Sequence, residues 1–201
     1  MDAVMQLKIS YLSQNKIKEA VIPFDESASV NKALSTCHGY QDSQVLAIDF
    51  ADDYTISFTS SIYTLVNIHT REFFVSDITL NFTQDAKHFP DSDTPGRKDS
   101  VHSEKQFLFD AILGFSYLCD TDSPLTLSND VTLDVVSVQL QAFLNDGTTG
   151  KFGSAVECIP PNVWKSVGIG MGVTVVVVVV IVLTAYLVVR HRRRQLHYQA
   201  V

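Results

Sequence analysis

From Val167 to Val189 the chain reads VGIGMGVTVVVVVVIVLTAYLVV, 23 consecutive uncharged residues. About 20 are enough to cross a hydrocarbon core roughly 30 Å thick at ~1.5 Å per residue. In water a run this rich in β-branched valine would read as a buried strand. In lipid every backbone N–H and C=O must be paired within the segment, so a single span has to be a helix. Arg190, His191, Arg192, Arg193 and Arg194 follow the span at once, against Lys165 alone just before it. That asymmetry puts the C-terminus in the cytoplasm and everything before Lys165 in a lumenal or extracellular space. Gly168 and Gly172 make a G-x-x-x-G face that lets two such helices approach closely, or are simply small residues tolerated in a span.

The chain therefore divides into a lumenal domain over 1–163, a transmembrane helix with its lumenal flank over 164–189, and a cytoplasmic tail over 190–201. The lumenal part has the length of one ordinary domain. Net charge is −7, and since the tail's four arginines carry +4, residues 1–189 carry −11. An acidic ectodomain argues against nucleic acid as a partner. The N-terminal MDAVMQLKISYLSQN lacks the basic start and apolar run of a signal peptide. A fragment of a longer type I protein is the expectation.

The three cysteines, Cys37, Cys119 and Cys158, all fall on the side where disulfides persist. One must be odd. A bridge between Cys119 and Cys158 would stabilise the fold by about 4 kcal/mol on the loop-entropy argument. If Cys37 closes a loop of similar size, its partner falls just upstream of Met1, consistent with a missing N-terminal end. A free or intermolecular thiol at Cys37 is the alternative.

The lumenal region reads as strands. Met5, Leu7, Ile9 and Tyr11 alternate with Gln6, Lys8 and Ser10, the period-2 pattern of a sheet with one buried face. Tyr54, Ile56 and Phe58 repeat it, as do Ile78, Leu80 and Phe82, with turn-formers such as Asp52–Asp53 and Ser60–Ser61 between the runs. Val131, Leu133 and Val135 alternate on one parity, and Val136, Val138, Leu140 and Ala142 on the other, as a one-residue bulge requires. The class is all-β. Gln84 to Gln106, polar with two prolines and a glycine, reads as a long surface loop with its tip at Thr94, Pro95 and Gly96.

Local catalytic motifs such as H-E-x-x-H, G-x-S-x-G or paired C-x-x-C are absent from the sequence. Asp91-Ser92-Asp93 with Gly96 resembles the start of a calcium loop, but Pro95 and His102 stand where ligands are needed. No metal site and no cofactor are expected. The lumenal histidines, His38, His69, His88 and His102, read as solvated surface residues. Asn81-Phe82-Thr83 is the single N-x-[ST] sequon, and the topology makes Asn81 a glycosylation candidate. In the tail, Tyr198 to Val201 is Y-x-x-Φ, a short extended peptide that can add to a sheet edge while two side chains enter separate pockets. The arginines read as stop-transfer charges that meet the membrane lipid.

These residues together resemble the lysosome-associated membrane glycoprotein family. Met5-Gln6-Leu7-Lys8-Ile9 is similar to the family's first strand, and Ser116-Tyr117-Leu118-Cys119 to the S-Y-x-C at its third cysteine. Gln141-Ala142-Phe143, Gly150-Lys151-Phe152 and Ala155-Val156-Glu157-Cys158 resemble the stretch closing its last disulfide, and Ala185-Tyr186-Leu187 the end of its span. The resemblance implies a membrane-proximal β-prism-like domain of two sheets, with Cys119 paired to Cys158 and Cys37 to a residue absent here. It implies a non-enzymatic type I glycoprotein of lysosomal and late endosomal membranes, with transit through the plasma membrane. Its partners would be clathrin adaptor medium subunits, which bind Tyr198 and Val201, and a second copy or other membrane proteins. The sequence departs from the family in having His197 where glycine usually precedes the tyrosine, and in carrying a single sequon. The alternatives are a related trafficking partner of another membrane protein in endosomes or vesicles and, more remotely, a membrane-anchored lumenal hydrolase using His69 or His102.

Overall fold

Strict alternation of apolar and polar residues obliges a strand to bury one face and wet the other, and the chain meets this demand with two antiparallel-rich sheets packed over one core. The computed structural model describes residues 1–37, 43–51, 53–65, 70–103, 106–121, 123–144 and 150–158, and Tyr186. The chain forms two compact units, Met1–Cys158 and Ile159–Val201. Among the described residues no helix is long and apolar enough to cross a membrane. The run Val167–Val189 apart from Tyr186, with Gly168 and Gly172, and the tail with Tyr198 and Val201, lie outside the described residues.

The strands of the first unit, in chain order, are β1 (Asp2–Ser13), β2 (Lys16–Pro23), β3 (Ser29–Val30), β4 (Ser43–Phe50), β5 (Tyr54–Leu65) and β6 (Thr70–Thr83). They continue as β7 (Lys98–Ser103), β8 (Leu108–Ile112), β9 (Ser116–Cys119), β10 (Ser123–Ser128), β11 (Val131–Leu140) and β12 (Ala155–Glu157). One sheet runs β12-β9-β11-β1-β2 with β10 also on β11; the other runs β3-β4-β5-β6-β7 with β8 also on β6. The apolar parities predicted for β1, β5 and β6 are the buried ones: Leu7, Ile56, Ile78 and Leu80 are each 0% exposed. Each such side chain contributes roughly 1.5–3 kcal/mol by leaving water.

Each sheet carries a bulge in one of its long ladders. In the β1–β11 ladder, Val4 faces Ser137 while Met5 faces Val135, so Val136 is the unpaired extra residue. The bulge foreseen from the switch of parity is there, but Val136 itself turns outward and is 45% exposed. In the β5–β6 ladder, Thr59 faces Asp77 and Ser60 faces Val75, which leaves Ser76 as the extra residue. At each bulge the strand on the far edge changes: β10 gives way to β9 along β11, and β7 to β8 along β6. A bulge bends its strand and raises the local twist, so one neighbour cannot follow through.

Two sequence expectations are corrected here. Ser60 and Ser61 do not end a strand; they lie inside β5. Their hydroxyl-rich composition belongs to the bulge, where Ser76 Oγ bonds Asp77 Oδ2 at 2.5 Å and lies 3.1 Å from Ser61 Oγ. The polar stretch Gln84 to Gln106 likewise contains a strand, β7. It is an edge strand whose outward residues meet water, so its sequence lacks an apolar stripe; Ser103 is nonetheless buried and Val101 packs against the core.

The rest of that stretch is tied down. Phe89 is 1% exposed and packs edge-on to Tyr11 at 5.1 Å. Gln84 Oε1 accepts from Ser92 and Thr94 hydroxyls at 2.8 and 2.9 Å. The two-residue β1–β2 turn has Gln14 and Asn15 at φ 51° and 58°, the left-handed pair of a type I′ hairpin. Without glycine this conformation costs roughly 1–2 kcal/mol per residue. Asp93 compensates, since its carboxylate accepts from Gln14 N–H at 2.8 Å and Asn15 N–H at 3.4 Å.

Candidate functional site

Three features of the first unit bear on function: the tie that holds its C-terminal end, the face that carries the sequon, and the charged groups that cross-brace it. β12 is only three residues long, all exposed, and pairs parallel with β9. It is fixed by the bond between Cys119 and Cys158, whose Cα atoms are 5.1 Å apart. Cys158 N–H also donates to Leu118 O at 2.8 Å. Cys158 is therefore tied to β9, the strand next to the edge of its sheet.

Cys37 is an exposed free cysteine. Its carbonyl accepts from Gln44 Nε2 at 2.6 Å, and Gln44 Oε1 accepts from Phe143 N–H at 2.8 Å. Phe143 follows the part of β11 that pairs with Asp2 and Ala3. Cys37 thus sits at the end of the domain where β1 begins.

Asn81 is exposed on the outward face of β6, because Leu80 and Phe82 on either side turn inward. Its cross-strand neighbours are Thr55 and Ser100, and the next row of that face holds Ser57, Thr79 and His102. Small hydroxyl side chains leave the amide unobstructed. Further along the same face, Tyr63, Phe74 and Phe107 form a ring cluster with centroids 4.5–5.5 Å apart, and Phe107 is 54% exposed.

Of the histidines read as solvated, His102 is exposed and His88 is the one that departs from the reading. His38 and His69 lie outside the described residues. His102 stands on β7 with Nδ1 2.7 Å from Thr79 Oγ1. His88 is largely covered, with Nδ1 2.9 Å from Asp85 Oδ2 and 3.3 Å from the Tyr54 hydroxyl. The same carboxylate accepts from Tyr54 OH and from the backbone N–H groups of Lys87 and His88. Burial pushes the Asp85 carboxyl up, but the bonds from Tyr54 and His88 outweigh it and hold the group at about 2. Burial first, and then Asp85, drive the Tyr54 hydroxyl well above its ordinary value. The tyrosine stays protonated and the carboxylate ionised, so this trio braces β5 against the loop after β6; it is not a nucleophile with its base. No period or motif announces it, since Tyr54 and Asp85 are 31 residues apart.

A second brace lies on the other sheet. Asp134, 7% exposed, takes Lys8 Nζ at 2.5 Å and Gln6 Nε2 at 3.1 Å. The bond from Lys8, against a smaller opposing effect of burial, lowers its carboxyl below the ordinary range. Among the described residues no group of three or more His, Cys, Asp or Glu could hold a metal ion.

A two-sheet all-β domain closed by a disulfide, with an exposed N-x-[ST] asparagine on a hydroxyl-rich face, is the class that the described residues define. Residues 1–159 match the family model described as lysosome-associated membrane glycoprotein 2-like, luminal domains, and the chain belongs to that family. It is 35% identical over 127 residues to lysosome-associated membrane glycoprotein 1 of Mus musculus, covering 63% of this chain and 29% of the relative. Against the Rattus norvegicus protein of the same name it is 29% identical over 193 residues, covering 94% of this chain and 42% of the relative. The chain thus spans less than half the length of these relatives. The crystal structure of the membrane-proximal domain of mouse lysosome-associated membrane protein 1 superposes with a TM-score of 0.62 at 25% identity, covering 78% of this chain and 86% of that one. The membrane-distal domain of mouse lysosome-associated membrane protein 2 shares the fold, with a TM-score of 0.64 at 20% identity over 79% of this chain and 90% of that one.

Proposed function

We propose that the protein is a non-enzymatic, single-pass type I glycoprotein of lysosomal and late endosomal membranes, sorted by adaptor recognition of Tyr198 and Val201 and contributing to membrane integrity. The observation that carries this reading is the match of residues 1–159 to the family, followed within about ten residues by an uncharged run long enough to span. The braces support it as well. Carboxylates held below their ordinary range keep their bonds in an acid lumen, as a domain facing one requires. Asn81 carries the glycan, for which the row of small hydroxyl residues leaves room. Cys37 pairs with a cysteine upstream of Met1, at the end of the domain where β1 begins. Replacing Tyr198 with alanine is expected to move the full chain from late endosomes to the cell surface, measured by surface biotinylation. An unchanged surface fraction refutes the sorting role.

A second reading, a trafficking partner of another membrane protein, is favoured by the ring cluster at Tyr63, Phe74 and Phe107, because exposed aromatic groups of this kind mark contact surfaces. A Phe107→Ser variant that no longer co-purifies with a specific membrane protein, while keeping its location, supports this reading. Unchanged co-purification refutes it.

A further inference from the structure

At the end of the domain near the β1–β2 turn, the two sheets part and leave an open cleft of about 480 Å³. That volume lies in the range of small-molecule sites, roughly 300–1,000 Å³. Its floor is apolar and comes from both sheets: Ile9 of β1, Phe82 of β6 and Val131 of β11. Ile17, 77% exposed, stands on the rim.

The mouth has charges of predominantly one sign, with Asp93, Asp99 and Asp130 set against Arg97. Arg97 is already engaged, donating from Nε to Asp99 Oδ1 at 2.7 Å with Nη2 at the same distance. Asp99 Oδ2 accepts from Gln84 at 3.0 Å, and Asp93 holds the Gln14–Asn15 turn. Asp130 is exposed, and its carboxylate has no partner among the described residues. The cleft thus pairs an apolar floor with one unengaged anionic group at a mouth of net negative charge. That combination repels an amphipathic carboxylate and gives a neutral alcohol no ionic gain.

We propose that this cleft binds a small amphipathic amine, with its apolar body between the sheets against Ile9, Phe82 and Val131 and its ammonium group beside Asp130.

The test is photolabelling of the full chain, held in discs of zwitterionic lipid, with a dodecylamine that carries a diazirine, followed by mapping of the label by mass spectrometry. Label is expected on the peptides of β1, β6 and β11 that form the floor. Unlabelled dodecylamine is expected to compete roughly tenfold better than dodecanol, the scale of one partly solvated ion pair, with dodecanoate weakest. Asp130→Asn should reduce dodecylamine to the level of dodecanol. Ile17→Lys, a rim substitution at an exposed position that leaves the core untouched, should weaken the amine by a similar factor. Label spread evenly along the chain overturns the proposal. So does dodecanol or dodecanoate competing as well as the amine, or an Asp130→Asn chain that keeps the preference.

Discussion

Removing the bond between Cys119 and Cys158, by the pair Cys119→Ala and Cys158→Ala or by thiol reduction, should release β12 from β9. The bridge joins residues 39 apart in sequence, which for a loop of this size is worth about 4 kcal/mol through the unfolded chain. Locally, β12 has three register partners on β9 and buries none of its own residues. Its backbone bonds contribute about 1 kcal/mol each, while ordering each residue costs roughly 1–2 kcal/mol. Without the covalent tie the balance favours fraying. The global loss corresponds to a urea midpoint lower by about 2 M for a slope near 2 kcal/mol/M. Hydrogen exchange on the full chain in lipid discs should show protection at Val156 and Cys158 collapsing, while Leu133 and Leu80 exchange only through the lowered global opening. The reasoning is refuted if Val156 and Cys158 stay protected and the midpoint moves by less than about 0.5 M.

Three further outcomes follow from the described contacts. Asp93→Ala should destabilise by about 1–2 kcal/mol by leaving Gln14 and Asn15 N–H groups without their acceptor in a strained turn, and Asn15→Gly should recover part of that loss in a urea melt. Because the Asp85 and Asp134 carboxyls are lowered in the folded state, their contribution is present above the ordinary carboxylate value near 3.9 and lost as pH falls through the folded values. Melting temperature measured against pH should therefore lose this contribution between about pH 5 and pH 2, and Tyr54→Phe should make the loss smaller and complete at higher pH by removing a bond that favours the Asp85 anion. Asn81→Gln should abolish the mobility shift on glycosidase treatment without altering the melt, since the side chain is exposed.

Much of the fold was legible because burial along a strand is a local property with a period of two. Met5, Leu7, Ile9 and Tyr11 needed no partner to declare their shared face. The parity switch between Val135 and Val136 placed a bulge to the residue, although it did not say that Val136 would face water. The Gln84–Gln106 stretch was misread because an edge strand satisfies one side of its backbone with solvent and has no need of a full apolar stripe. Ser60 and Ser61 were misread because the same hydroxyl chemistry that closes turns also fills a bulge.

The sequence by itself determined the all-β class, the buried faces of β1, β5 and β6 and the presence of a run long enough to span a membrane. Each of these depends on residues within one segment and on what water or lipid demands of it. Only the tertiary structure decided that Asp93 holds a turn 79 residues away, that Tyr54, Asp85 and His88 form a brace, and that the sheets part over Ile9, Phe82 and Val131 beneath a mouth lined with carboxylates. These features arise from contacts between segments, and the polar groups that make them leave no periodic trace in the chain.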